Sequence, residues 1–234
     1  MNPTVLYGSP GFRDTYIKEI SRIYDGRTIK LPLGILANCR TWDYEQLLKY
    51  GHFCASDVVL ECGALNTLFC GYMGHRVAHY RATDSYYWSE RDFANDIQRP
   101  REWEALVGEV SGGRVVAHQG DMTALAFPDE IFDKVVSIST IEHIPDDEAA
   151  ISEAYRVLRP GGKLLLTTEY NHWGGGKNYS EEDGSFMRIY NSSTVKRLLK
   201  DFSLEVALIS QNQEQMEKIS HRHKFTTLFL SLRK

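Results

Sequence analysis

Residues 134–169 read KVVSISTIEHIPDDEAAISEAYRVLRPGGKLLLTTE, a run in which two apolar segments flank an amphipathic one. Lys134 to Ser139 and Lys163 to Glu169 are short and rich in Val, Ile and Leu, which is typical of buried strands. Between them, Glu148 to Leu158 carries apolar residues at helical spacing. A strand–helix–strand unit of this length predicts a parallel sheet covered by helices on both faces.

The same alternation extends toward both ends of the chain. The other predicted elements are strands at 57–61, 76–83, 114–119, 204–210 and 225–232 and helices at 65–73, 101–110 and 193–200. Before residue 57 the pattern instead indicates helices, at 14–24 and 42–50. We therefore predict an α/β fold, doubly wound, with an N-terminal helical cap region at 1–56 and one compact ligand-binding domain at 57–234.

Composition narrows the class of protein. The 234 residues are 42% hydrophobic and carry a net charge of −4, values typical of a globular protein without the basic character of a polyanion binder. Neither a secretory signal nor an apolar run of about 20 residues is evident. The four cysteines contain no Cys-x-x-Cys pair. We predict a cytoplasmic protein with reduced thiols, no membrane span and no nucleic-acid partner.

Polar residues and glycines follow the predicted parallel strands at the points where ligands bind in open α/β sheets. Gly63 follows the first strand, where a glycine lets the backbone approach a ligand closely. Asp84 follows the second strand about 20 residues later, a spacing that suits a carboxylate accepting hydrogen bonds from a ribose diol. Asp121 and Met122 follow the third strand, and Ser139 ends the fourth.

Four motifs in a fixed order resemble those of class I S-adenosylmethionine-dependent methyltransferases, especially the small-molecule group often labelled type 11. They are GDMTALAFPD at 120–129, FDKVVS at 132–137, IEHIPDD at 141–147 and EAYRVLRPGGK at 153–163. The resemblance runs from about Val58 to Tyr170. It implies a Rossmann-like, mostly parallel sheet with an antiparallel last strand, and methyl transfer from S-adenosylmethionine to a small-molecule acceptor.

The resemblance also assigns six residues to the cofactor. Glu61 and Gly63 are implied at the methionyl end, with Glu61 directed toward the ammonium group, and Ser139 passes the same part through its backbone. Asp84 is implied to hold the ribose, Asp121 the adenine amino group, and the Met122 backbone the adenine ring.

The first cofactor loop departs from the family pattern, since Leu65 stands where the second glycine of acidic-x-Gly-x-Gly belongs. Two outcomes are open: the Leu65 side chain crowds the cofactor, or Asn66 takes the turn with positive φ instead. The same loop lacks the second and third glycines that a dinucleotide pyrophosphate requires, which argues against a nicotinamide dehydrogenase.

The acceptor is less constrained than the cofactor. A hydroxyl or amine of a sugar, glycolipid or natural product fits the resemblance, and residues 1–56, 86–88 and 170–190 are expected to form its pocket. Their aromatic residues are equally compatible with core packing. A catalytically silent cofactor-binding partner protein and a nucleic-acid methyltransferase are the alternatives, and the sequence does not predict the oligomeric state.

His143 is the predicted general base, because it follows the fourth strand and an imidazole titrates near neutral pH. The alternative is that it caps the next helix or packs beside the cofactor. His172 is the reserve candidate for the base. His221 and His223 lie in a charged segment without a carboxylate cluster, so we predict no metal site.

Overall fold

The computed structural model describes residues 9–24, 41–65, 67–87, 100–171, 174, 177–180, 186–210 and 226–234. Its helices are α1 Pro10–Ile23, α2 Thr41–Gly51, α3 Phe69–Gly74, α4 Pro100–Val110, α5 Asp147–Val157 and α6 Ser192–Leu198. Its strands are β1 Val58–Cys62, β2 His79–Asp84, β3 Val115–Gln119, β4 Phe132–Ile138, β5 Leu158–Tyr170, β6 Lys177–Ser180, β7 Phe186–Ile189, β8 Ser203–Ile209 and β9 Thr226–Arg233.

Seven strands form one sheet in the order β3-β2-β1-β4-β5-β9-β8. The pairs from β3 to β5 are parallel, and β9 runs antiparallel to both β5 and β8. The prediction of a Rossmann-like, mostly parallel sheet with an antiparallel last strand is confirmed. Strand order reverses between β1 and β4, which marks that end of the sheet as the ligand site.

The sheet separates two hydrophobic clusters, one on each face. Val59 of β1 belongs to the cluster that also contains residues of α1, α2, α3 and α4. Leu60, the next residue, belongs to the cluster formed with α5 and α6. Successive residues of a strand point to opposite faces, so β1 is buried on both sides. The N-terminal helices thus pack directly on the sheet, and the division at residue 56 stays a proposal.

The helix after β1 needs correction. The helix expected from residue 65 begins at Phe69, because the preceding residues form a loop whose Gly63 and Ala64 amides donate to the Thr83 carbonyl at 2.8 and 3.0 Å. Residues 159–162 form a bulge inside β5, where Phe132 pairs with Leu158 and Lys134 with Lys163.

The segment 170–190, which is expected to contribute to the acceptor pocket, contains the antiparallel hairpin β6–β7. A bridge between Tyr170 and Tyr190 joins its last residue to β5. The hairpin therefore stands beside the carboxyl ends of β4 and β5. Residues 172–173, 175–176 and 181–185, including the reserve base His172, lie outside the described residues.

Candidate active site

A cavity of about 670 Å³ opens where strand order reverses, which is within the usual size range of small-molecule sites. Its walls come from residues that follow β1, β2, β3 and β4, together with Phe186 of β7. The structure brings together five of the six residues assigned to the cofactor, along with the predicted base. These residues are Gly63, Asp84, Asp121, Met122, Ser139 and His143.

The position of Gly63 requires glycine for both conformational and steric reasons. Its φ is +74°, in the region that side chains other than glycine rarely adopt. A Cβ at this position would stand 2.1 Å from Oγ1 of Thr140, the residue that packs on the loop from the end of β4. The loop after β1 and the loop after β4 therefore meet at Gly63 without room for another atom.

Asp84 is the buried carboxylate of the cavity wall. Oδ1 accepts a hydrogen bond from the Tyr86 amide at 2.7 Å and Oδ2 one from the Leu65 amide at 3.0 Å. Burial raises the pKa of Asp84, and these two backbone donors oppose that increase. An ionised carboxylate has about four lone-pair sites, so two remain for a diol in the cavity.

Leu65, at the position of the missing glycine, contributes its backbone to the site. Its amide anchors Asp84, and its half-buried side chain lines the cavity. Leu65 is not among the described residues that have a positive φ, so its backbone conformation does not require glycine. Asn66, the alternative residue for the turn, lies outside the described residues.

Asp121 and Met122 follow β3, the strand beside β2. Oδ1 of Asp121 accepts hydrogen bonds from the amide and the hydroxyl of Thr123, both at 2.8 Å, which fixes the turn. The Asp121 side chain is exposed, whereas Met122 is buried, and both residues line the cavity. This pair supplies a carboxylate at the mouth and an apolar surface beneath it.

The turn after β4 is held by a buried carboxylate that sequence reasoning missed. Ser139 has a φ of +48° and its amide donates to the Thr167 carbonyl at 3.0 Å. The Ser139 hydroxyl donates to Glu142, which is fully buried, and the Thr168 hydroxyl donates to the other Glu142 oxygen at 2.9 Å. Glu142 therefore ties the strained end of β4 to β5.

His143 ends the short 3₁₀ turn Ile141–His143 and lines the cavity. Its Nδ1 lies 3.1 Å from the backbone carbonyl of Phe186. A carbonyl oxygen only accepts, so Nδ1 carries the hydrogen in this contact. In the neutral ring the lone pair is then on Nε2, the arrangement that a general base requires.

Glu61 lies apart from the other predicted cofactor residues. It is fully buried and does not line the cavity; Oε1 accepts from the Thr67 hydroxyl at 2.6 Å and Oε2 from the Tyr80 hydroxyl at 2.7 Å. Burial raises its pKa to about 7, and nearby Asp84 adds to the increase. Thr67 does line the cavity, so Glu61 is connected to the cavity through that hydroxyl.

The buried Glu61 carboxyl predicts a stability that falls with rising pH. Its folded pKa of about 7 exceeds the ordinary value of 4.5, so its stabilising effect is complete below pH 4.5 and is lost as the pH rises through 7. Between pH 5 and pH 8 we expect wild type to lose about 3 kcal/mol relative to Glu61→Gln in urea unfolding. Glu102→Gln, at an exposed position in α4, is the control and should follow wild type. Parallel curves for wild type and Glu61→Gln would contradict the prediction.

The predictions on thiols, metal ligands and membrane spans involve residues of which the structure describes only some. Cys54, Cys62 and Cys70 are free thiols, whereas Cys39, His221 and His223 lie outside the described residues. Within the described ranges, no group of three or more His, Cys, Asp or Glu side chains is arranged to hold a metal. In the same part of the chain, every helix is too short or too polar to cross a bilayer.

Residues 60–166 match the sequence pattern of the methyltransferase domain. The resemblance to class I S-adenosylmethionine-dependent methyltransferases is therefore confirmed over these residues, which are slightly less than half of the chain. A 2-methyl-6-phytyl-1,4-hydroquinone methyltransferase of Oryza sativa subsp. japonica is 44% identical over 72 residues, which are 31% of this chain and 19% of that protein. A sterol 24-C-methyltransferase of Eremothecium gossypii is 29% identical over 193 residues, 81% of this chain and 46% of that protein. The chain thus spans less than half the length of these curated relatives.

The fold of the chain also matches solved structures. The 1,6-didemethyltoxoflavin-N1-methyltransferase of Burkholderia thailandensis, solved with its namesake ligand and S-adenosylhomocysteine, superposes with a TM-score of 0.63. The match covers 95% of this chain and 86% of that chain at 16% sequence identity. Identity at this level shows a shared fold.

S-adenosylmethionine is the cofactor that the match to the methyltransferase domain implies, and the residues around the cavity fit it. The cavity volume of about 670 Å³ is sufficient for a nucleoside with an amino-acid tail. Asp84 has acceptor capacity for two ribose hydroxyls, and Gly63 of the first loop lines the same cavity.

Proposed function

We propose that the protein transfers the methyl group of S-adenosylmethionine to a hydroxyl or amine of a small-molecule acceptor. The supporting observation is that His143, with Nδ1 directed at the Phe186 carbonyl, lines the same cavity as Asp84, Asp121 and Gly63. A group able to accept a proton and the residues assigned to the cofactor therefore share one enclosed space.

When bound, the cofactor supplies a methyl carbon that is activated by the adjacent sulfonium. In this proposal Asp84 accepts from both ribose hydroxyls, and Asp121 with Met122 holds the adenine. The ammonium group is held at the Thr67 end of the cavity, where Glu61 completes the polar contact through the Thr67 hydroxyl. Alignment of donor and acceptor in one cavity then supplies much of the rate.

His143 receives the proton in the proposed reaction. Its Nε2 accepts the hydrogen of an acceptor hydroxyl as the oxygen attacks the methyl carbon. For a protonated amine, Nε2 removes the proton first, and the lone pair thus freed on nitrogen then attacks the methyl carbon. The Phe186 carbonyl stabilises the imidazolium that results, because it accepts from Nδ1 in both protonation states. For an acceptor that is already a neutral amine, the same contact positions the ring beside the nucleophile.

The wall beyond His143 favours an acceptor with an apolar ring. Ile144, Pro145 and Phe186 line the cavity there and present aromatic and aliphatic surface, and Tyr87 lines it after β2. The similar proteins described above are named for a hydroquinone, a sterol and 1,6-didemethyltoxoflavin, each of which contains a ring. We propose a natural-product ring bearing a hydroxyl or amine as the acceptor class, ahead of a bare sugar.

The function is tested by incubating the purified protein with methyl-labelled S-adenosylmethionine and a panel of phenols, quinols, sterols, heteroaromatic amines and sugars. We expect label transfer to at least one ring acceptor and none to DNA or RNA oligonucleotides. Cofactor binding without transfer to any acceptor would instead support a catalytically silent partner protein. Transfer to an oligonucleotide would support the nucleic-acid alternative.

Asp84 is expected to contribute measurably to cofactor affinity. Asp84→Ala removes the proposed acceptor of the ribose hydroxyls, and we expect S-adenosylhomocysteine binding to weaken by about 1–3 kcal/mol in calorimetric titration. Asp146→Ala is a matched control, because Asp146 also lines the cavity but caps α5 on the His143 side. Equal affinities of wild type and Asp84→Ala would show that this carboxylate does not hold the ribose.

A further inference from the structure

Arg188 of β7 is a buried cation with an unusually complete set of partners. Its side chain is 6% exposed, and its guanidinium forms an ion pair with Asp147 at 2.6 Å. It donates to the carbonyls of Ile144 at 3.3 Å and Pro145 at 2.8 Å, and its Nε donates to Asn178 at 3.2 Å. Burial of a charge is costly unless such partners satisfy it, so this arrangement specifies one relative position of the segments involved.

The partners of Arg188 belong to the two segments that enclose the acceptor side of the cavity. Ile144 and Pro145 line the cavity immediately after His143. Phe186 precedes Arg188 by two residues in β7, its ring centroid is 5.0 Å from the guanidinium, and its carbonyl faces His143 Nδ1. The guanidinium therefore holds the hairpin against the residues that directly follow His143.

We infer that Arg188 is a positioning residue: it holds the Phe186 carbonyl against His143 Nδ1 and thereby fixes the tautomer whose lone pair is on Nε2. The inference rests on the proposed role of His143 as base. A planar fork with donors in fixed directions is required, because the two backbone carbonyls and the carboxylate lie around it in different directions. A lysine retains the charge but does not reach all three acceptors.

Arg197 of α6 provides a matched control. It also forms an ion pair with Asp147, at 3.2 Å, and it contacts Glu148, but its side chain is 45% exposed. Asp147 and Glu148 are not among the residues that line the cavity. Removal of Arg197 therefore weakens the same carboxylate network without releasing the turn or the hairpin.

The test uses the full-length protein with ¹⁵N-labelled imidazole rings and long-range ¹H–¹⁵N NMR, with the His143 signals assigned from their loss in His143→Gln. Wild type and Arg197→Met should show His143 protonated at Nδ1 in the neutral ring. Arg188→Met should lose that signature and show Nε2 protonation or an average of the two tautomers. Should Arg188→Met not fold by circular dichroism, Arg188→Lys is the deciding variant, with the same expected loss.

Retention of the Nδ1–H signature in folded Arg188→Met, or in Arg188→Lys where the first variant is unfolded, would overturn the inference. An equal loss in Arg197→Met would also overturn it, since the effect would then belong to the carboxylate network as a whole. With an acceptor in hand, turnover of the Arg188 variant should fall by about 10²-fold while S-adenosylhomocysteine affinity is unchanged. The NMR readout needs no acceptor, so failure of the proposed methyl transfer would be seen separately.

Discussion

Gly63→Ala is expected to abolish S-adenosylhomocysteine binding and to destabilise the protein by roughly 2–5 kcal/mol. The new Cβ would stand 2.1 Å from Thr140 Oγ1 and 2.3 Å from Thr140 Cγ2, so the loop after β4 must move. The φ of +74° adds the cost of a left-handed conformation for alanine. Both losses are measurable, the first by calorimetric titration and the second by urea unfolding.

Gly112→Ala separates the cost of the left-handed conformation from the cost of the steric contact. Gly112 has a φ of +63°, but nothing lies within 4 Å of a Cβ built there. We expect this variant to lose about 1 kcal/mol of stability and to bind S-adenosylhomocysteine as tightly as wild type does. Normal binding and near-normal stability of Gly63→Ala would mean that the contact between the two loops does not define the site.

His143→Gln is expected to reduce turnover by about 10²–10⁴-fold with a hydroxyl acceptor while cofactor affinity is retained. Glutamine keeps a hydrogen-bond donor near the Phe186 carbonyl but has no group that accepts a proton near neutral pH. The measurement is kcat for wild type and variant across pH, with the acceptor found in the labelling panel. His79→Gln, an exposed position on β2, is the control.

The pH profile distinguishes a base from a residue that only positions the acceptor. A base predicts that the wild-type rise in kcat with pH is absent from His143→Gln. A smaller, pH-independent decrease would assign His143 to positioning of the acceptor. Near-normal turnover with an unaltered profile would exclude it from the chemistry.

Much of the cofactor side of the site could be predicted from the sequence because it depends on strand ends. Once β1 to β4 are recognised as parallel, Gly63, Asp84 and Asp121 must meet at one edge of the sheet. Glu61 shows the limit of that reasoning. It shares a strand face with Val59, two residues earlier, and so it points into the core against Tyr80. Strand alternation was the signal that could have shown this.

The acceptor side could not be predicted in the same way, because it is assembled by contacts between distant parts of the chain. Phe186 and Arg188 lie in a hairpin whose strands the sequence pattern did not predict. Thr140 packs against Gly63, and Glu142 accepts a hydrogen bond from Thr168. Each contact joins residues that are far apart in the sequence. The acceptor class and the cytoplasmic location stay predictions.

The most direct test of the account is calorimetric titration of S-adenosylhomocysteine into the purified protein. The cavity at the reversal of strand order predicts saturable binding at one site per chain, weakened in Asp84→Ala and lost in Gly63→Ala. Absence of heat and of saturation at millimolar ligand, in a protein shown to be folded, would contradict the assignment of this cavity to the cofactor.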